Sequence, residues 1–155
     1  MIYAAITAYA AAMVTANLLV SVFGPVITPF NAFVLIGFDL AMRDWLHVRL
    51  RVWQMLALIL ATGAVTFGLN PAAGIIAVAS AASFTAAALV DWGVFSTVTG
   101  SWFKRANASN VAGAAVDSLL FPTIAFGALL PHIVAMQFIA KVAGGAMWSW
   151  ALRRA

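Results

Sequence analysis

Long apolar runs, separated by short clusters of turn-forming or charged residues, make up almost the whole chain. The first run covers about 2–23 and closes at Gly24-Pro25 and Pro29, strong turn punctuation. The second covers about 30–46. It leads into a stretch carrying Arg43, Asp44, His47, Arg49 and Arg51, which cannot lie in hydrocarbon unaided. The third covers about 52–69 and ends at Asn70-Pro71. The fourth covers about 72–103. As a helix it would reach roughly 45 Å, more than the hydrocarbon core needs, so it must tilt, break or project. Asp91 and Gly93 mark where a break would fall. The fifth covers about 108–130, and Pro131 separates it from a sixth at about 133–152. One span takes about 20 apolar residues. The pattern therefore predicts an all-α membrane protein: a bundle of about six transmembrane helices forming a single integral membrane domain over 1–155.

Composition strengthens this expectation. Hydrophobic residues make up 65% of the chain and charged residues 8%, where soluble domains carry about a quarter charged. The mean hydropathy of +1.06 leaves no polar shell. The absence of cysteine excludes disulfides, thiolate metal sites and a cysteine nucleophile. A net charge of +4 would suggest nucleic acid in a soluble protein, but here the basic residues sit mostly at predicted helix ends, so no nucleic-acid partner is expected. Arg49 and Arg51 lie between runs two and three, Lys104 and Arg105 between four and five, and Arg153 and Arg154 after six. The other connections carry neither Lys nor Arg. Alternation of this kind places both termini in the cytoplasm, in a multi-pass protein of the cell membrane. The first run lacks a basic leader, so it is expected to be a retained helix. Three helices followed by three more would form two inverted halves, each with an aspartate in its second helix, Asp39 and Asp117.

Ionisable residues inside a membrane are costly and mark function by default. Asp39, Asp91 and Asp117 fall within apolar runs, Lys141 sits in the middle of the sixth, and Arg43 shares a helix face with Asp39 at i,i+4. Internal ion pairs stabilise a bundle poorly, so these charges exceed what assembly alone requires and point to a polar cavity. Ser109, Gly113 and Asp117 recur every four residues, and Phe121 continues their face. Trp92 lies beside Asp91, where an aromatic face next to a carboxylate suits a flat heterocycle. Phe30, Phe33 and Phe95 are further aromatic candidates. Trp45, Trp53, Trp102, Trp148 and Trp150 read as an interfacial belt. Asn17 would bond a neighbouring helix or face a ligand, and Asn31 would cap the second helix or face the ligand with Asp39. Ala4, Ala8, Ala12 and Ala16 form a small-residue ridge suited to a second copy or a coupling subunit. No metalloprotease, phosphate-loop or nucleophile-elbow motif occurs. His47 and His132 are expected at opposite membrane faces and cannot share a metal. Neither an enzyme nor a cofactor is expected.

Four stretches together resemble a known family: TANLLV around Asn17, FNAFVLIGFDLAMRDW around Asp39 and Arg43, ASFTAAALVDWGVFS around Asp91, and NASNVAGAAVDSLLFPTIAFG around Asp117, with Lys141 in the last helix. They look like the queuosine precursor transporters, also called the VUT or vitamin-uptake-like family. The resemblance implies a six-helix secondary carrier importing a 7-deazaguanine base such as preQ0 or preQ1. It carries Asp39, Arg43, Asp91, Phe95, Ser109, Asp117, Phe121 and Lys141 over to that family's motifs. Ala114 and Val116 are apolar where members can carry Asn and Ser. Two other readings stand beside it. One is the substrate-binding subunit of an energy-coupling-factor importer, whose first helix often carries alanines every four residues. The other is a membrane assembly protein with no ligand.

Overall fold

The computed structural model describes residues 2–153, so Arg154 of the C-terminal basic pair lies outside the described residues. Among the described residues every regular element is helical. The order is α1 (Ile2–Phe23), a 3-10 turn (Gly24–Ile27), α2 (Thr28–Asn31), a π-helical turn (Ala32–Ile36), α3 (Gly37–His47), α4 (Val52–Leu69), a 3-10 turn (Pro71–Ala73), α5 (Gly74–Thr97), α6 (Trp102–Phe126) and α7 (Pro131–Leu152). Four helical stretches are long and apolar enough to cross a membrane: 2–47, 52–69, 71–97 and 102–126. The first holds 46 residues, more than twice the length of one crossing. It doubles back on itself. Gly24 takes φ +65, a left-handed backbone that glycine adopts freely. Beyond it Asn31 Nδ2 donates to the carbonyl of Ala16 at 2.9 Å, tying α2 to the middle of α1.

The helix that begins at Thr28 is not uniform. Its turn over Ala32–Ile36 is π-helical, a rare turn with i→i+5 bonding. Trp148 Nε1 of α7 donates to Val34 O in that turn at 3.0 Å. Glycines bring α7 against the same place. A Cβ on Gly37 would lie 2.6 Å from the carbonyl carbon of Gly144, and a Cβ on Gly144 would collide with Phe33 O. Any side chain at either position would push α3 and α7 apart.

Two boundaries depart from the hydrophobic pattern. The fourth run does not reach residue 103. It also does not break at Asp91 or Gly93, since α5 runs intact through both and ends at Thr97. The chain turns at Gly100, with φ +124, and Ser101 Oγ caps α6 by accepting from Lys104 N at 3.3 Å. Trp102 and Phe103, which lengthen the apolar run, therefore begin the next helix, six residues before 108. That helix ends at Phe126 with Gly127 in the left-handed cap position.

The apolar core joins Tyr9 and Met13 of α1, Trp45 and Leu46 of α3, Met55 and Ile59 of α4, and Phe84 of α5. The exterior is apolar too: Trp53, Leu60, Phe67, Val78, Leu119 and Ile139 are exposed. The interior, by contrast, buries Asp39, Arg43, Asp44, Asp91, Asp117 and Lys141. Charges inside and hydrocarbon outside suit a lipid surround, not water.

Candidate functional site

The buried polar groups form three tiers. The first joins α1, α4 and α5. Asn17 Nδ2 donates to Thr66 Oγ1 at 3.3 Å, and Ser80 Oγ donates to Asn17 Oδ1. Asn31 reaches this tier through its bond to Ala16 and makes no helix cap. The capping expectation fails because the helix has already begun at Thr28.

The second tier joins α6 and α7. Lys141 Nζ pairs with Asp117 Oδ2 at 2.8 Å, each side chain 2% exposed. The lysine also donates to Gln137 Oε1, one helical turn away, at 2.9 Å. In the third tier Arg43 pairs with Asp39 along α3, and the guanidinium carbon stands 5.8 Å from the Phe84 ring centre. Ser109 Oγ of α6 lies 3.1 and 3.0 Å from the two carboxyl oxygens of Asp44. Asp91 of α5 rests on Gly113, where a Cβ would come 3.5 Å from Asp91 Oδ1.

A cavity with about 310 Å³ of empty space lies between the first and second tiers. Asn17, Asn31, Ser80, Asp117, Gln137 and Lys141 supply its polar wall, and Val20, Phe84 and Phe121 its apolar wall. It is a narrow slot whose free room suits a water molecule more than a ring. Three buried atoms of its wall make no hydrogen bond: Asn31 Oδ1 and Asp117 Oδ1, which accept, and Gln137 Nε2, which donates. Buried polar groups are nearly always satisfied, so three unpartnered atoms on residues of one cavity wall are a specific feature.

Five residues singled out in the sequence thus meet at this cavity: Asn17, Asn31, Asp117, Phe121 and Lys141. The others lie elsewhere. Asp39 is wholly buried against Arg43 and does not line the cavity. Arg43, Asp91 and Trp92 line a second cavity of about 340 Å³ together with His47. The Trp92 ring stacks on His47 at 6.2 Å. Phe95 is wholly buried, with the Arg105 guanidinium 4.1 Å over its ring. Phe30 and Phe33 are exposed and line neither cavity. Ser109 belongs with Asp44.

Sequence reasoning missed Gln137, Ser80, Phe84 and Asp44. Gln137 carried a readable signal, its i,i+4 spacing to Lys141. Asp44 was assigned to the charged stretch that follows the second run, whereas α3 continues to His47 and keeps Asp44 wholly buried. Among the described residues no three His, Asp or Glu side chains gather as a metal site.

An apolar exterior around a buried, charge-lined cavity defines a helical membrane protein. The chain belongs to the vitamin uptake transporter family: the family model described as "Putative vitamin uptake transporter" matches residues 2–153. No curated protein and no solved structure matches it.

Proposed function

We propose that this protein is a secondary carrier, not an enzyme, that imports a 7-deazaguanine queuosine precursor, preQ0 or preQ1, across the cell membrane. The observation that carries the substrate class is the set of unpartnered atoms in the cavity wall. A guanine-like edge offers a ring N–H and an amino group beside a carbonyl oxygen. Asp117 Oδ1 and Asn31 Oδ1 can accept from the first two, and Gln137 Nε2 can donate to the third. Phe84 and Phe121 supply ring faces, and base–aromatic stacking contributes about 1–3 kcal/mol in nucleic-acid sites. The narrowness of the slot fits a carrier in a closed state, whose walls part to admit the ring on one side at a time.

In this reading the chain crosses the membrane six times as one domain. Dividing the first stretch at Gly24 makes two spans, and α7, 22 residues long, adds the last. Both termini then lie in the cytoplasm. The two halves would each be three helices, related by inverted topology.

The test is uptake of labelled preQ0 and preQ1 by cells that cannot make the precursor. Expression of the chain should restore uptake, and Asp117→Asn should abolish it while the protein stays in the membrane. Normal uptake by the variant would remove Asp117 from the site. An energy-coupling-factor subunit is the second reading, because Ala4 and Ala8 of the alanine ridge are exposed while Ala16 is buried. The exposed end of that ridge is free for a coupling subunit or a second copy. Uptake in a host without the ATPase and coupling subunits would exclude the first of these.

A further inference from the structure

The buried charges do not balance. Four carboxyl groups are at most 2% exposed: Asp39, Asp44, Asp91 and Asp117. The fully buried cations among the described residues are Arg43 and Lys141, and each is already paired, with Asp39 and with Asp117. Among the described residues, Asp44 and Asp91 are left with no cation in contact.

These two side chains belong together. Ser109 holds Asp44. Asp91 lies against Gly113, one turn further along α6, so both carboxyls pack on the same face of that helix. Neither oxygen of Asp91 accepts a hydrogen bond from any neutral or cationic donor. Arg43 lines the same cavity as Asp91, and its Nε and Nη1 are buried and unpartnered. Two adjacent carboxylates without a cation cannot both stay ionised away from water.

We propose that Asp44 and Asp91 form a two-carboxyl proton site, distinct from the ligand cavity, that couples transport to the proton gradient; this rests on the carrier reading above. The site holds one proton between the two carboxyls. When that proton leaves to water, the pair goes from one negative charge to two, and the added charge can stand only if Arg43, whose Nε and Nη1 are unpartnered, turns to meet it. The guanidinium can then lean from Asp39 toward Asp91. Its motion reaches the ligand cavity along α3, because Ile36 of that cavity's wall is three residues before Asp39. It also reaches it along α6, which carries both Ser109 and Asp117. Each proton that binds from one side and leaves on the other accompanies one passage of substrate. The charged and titratable groups around the pair are Asp39, Arg43 and His47 of α3 and Arg105 of α6. His47 and Arg105 stand toward the ends of their helices.

Two measurements test this. The first needs no substrate: infrared difference spectra of the purified protein, titrated with pH. The wild type should show a protonated carboxyl C=O band at neutral pH that disappears in alkali, and Asp44→Asn should shift or remove it. Absence of the band, or its persistence unchanged in the variant, overturns the proton site. The second uses the protein in liposomes with labelled preQ0. An inward proton gradient should raise accumulation several-fold in the wild type. Asp44→Asn should keep preQ0 counterflow and lose the response to the gradient. Counterflow with accumulation indifferent to the gradient overturns the coupling. Absence of wild-type counterflow contradicts the preQ0 reading instead, and the infrared result then decides the proton site alone.

Discussion

Lys141 and Asp117 show what a single buried pair controls. Removing one partner of a buried ion pair leaves an uncompensated charge, at a cost of about 3–5 kcal/mol. Lys141→Met should therefore lower the melting temperature in detergent, and adding Asp117→Asn should recover much of the loss. A Lys141→Met protein that melts like the wild type would show the pair to be structurally idle. At this scale the sequence was most legible where a charge interrupts an apolar run. Asp117, Lys141, Asp39 and Arg43 could be named that way, and Asp39 and Arg43 pair at the expected spacing. Asp44 could not, because its neighbours Arg43, His47 and Arg49 give it the look of an interfacial residue. Only the length of α3 shows that it is inside. Ser80 and Phe84 carried no signal, since a serine or phenylalanine in an apolar helix is ordinary.

At the scale of elements, the π turn over Ala32–Ile36 and its contact with α7 are the distinctive feature. Nothing in AFVLI marks a π turn, and the groups that contact it lie on another helix. Gly144 approaches the Phe33 carbonyl and Trp148 takes up the Val34 carbonyl. Gly144→Ala should force α2–α3 and α7 apart at a cost of about 1–3 kcal/mol, as for overpacked cores. Trp148→Phe should cost about 0.5–1.5 kcal/mol, the net worth of one hydrogen bond. Thermal unfolding of the two variants checks both. A Gly144→Ala protein as stable as the wild type would mean the helices are less closely fitted than their backbones indicate. The end of α5 was misread for a related reason. Trp102 and Phe103 prolong the apolar run, while the turn depends on the φ of Gly100 and the cap from Ser101.

The whole molecule shows an apolar surface around a charged interior, and this much was legible from composition and pattern alone. The path of the chain across the membrane is a matter of topology, and the absence of cysteine makes it easy to test. Single cysteines placed by Arg51→Cys and Lys104→Cys should react with impermeant thiol reagents from the cytoplasmic side. Those placed by Asn70→Cys and Leu129→Cys should react from the outside. Labelling of all four from one side would exclude six alternating spans. On the proposed carrier reading the narrow slot makes a further demand on the whole fold, since a ring would enter only if the helices that wall it separate.

The central claim is that the cavity beside Asp117 and Lys141 recognises a deazapurine edge. Thermal unfolding of the purified protein with a panel of purines and 7-deazapurines tests it most directly. A ligand that binds only the folded state stabilises it by about 2.7 kcal/mol at one hundred times its Kd. PreQ0 or preQ1 should raise the melting temperature by several degrees in the wild type, adenine should not, and Asp117→Asn should lose the shift. No shift with any member of the panel, or an equal shift in Asp117→Asn, would contradict the account.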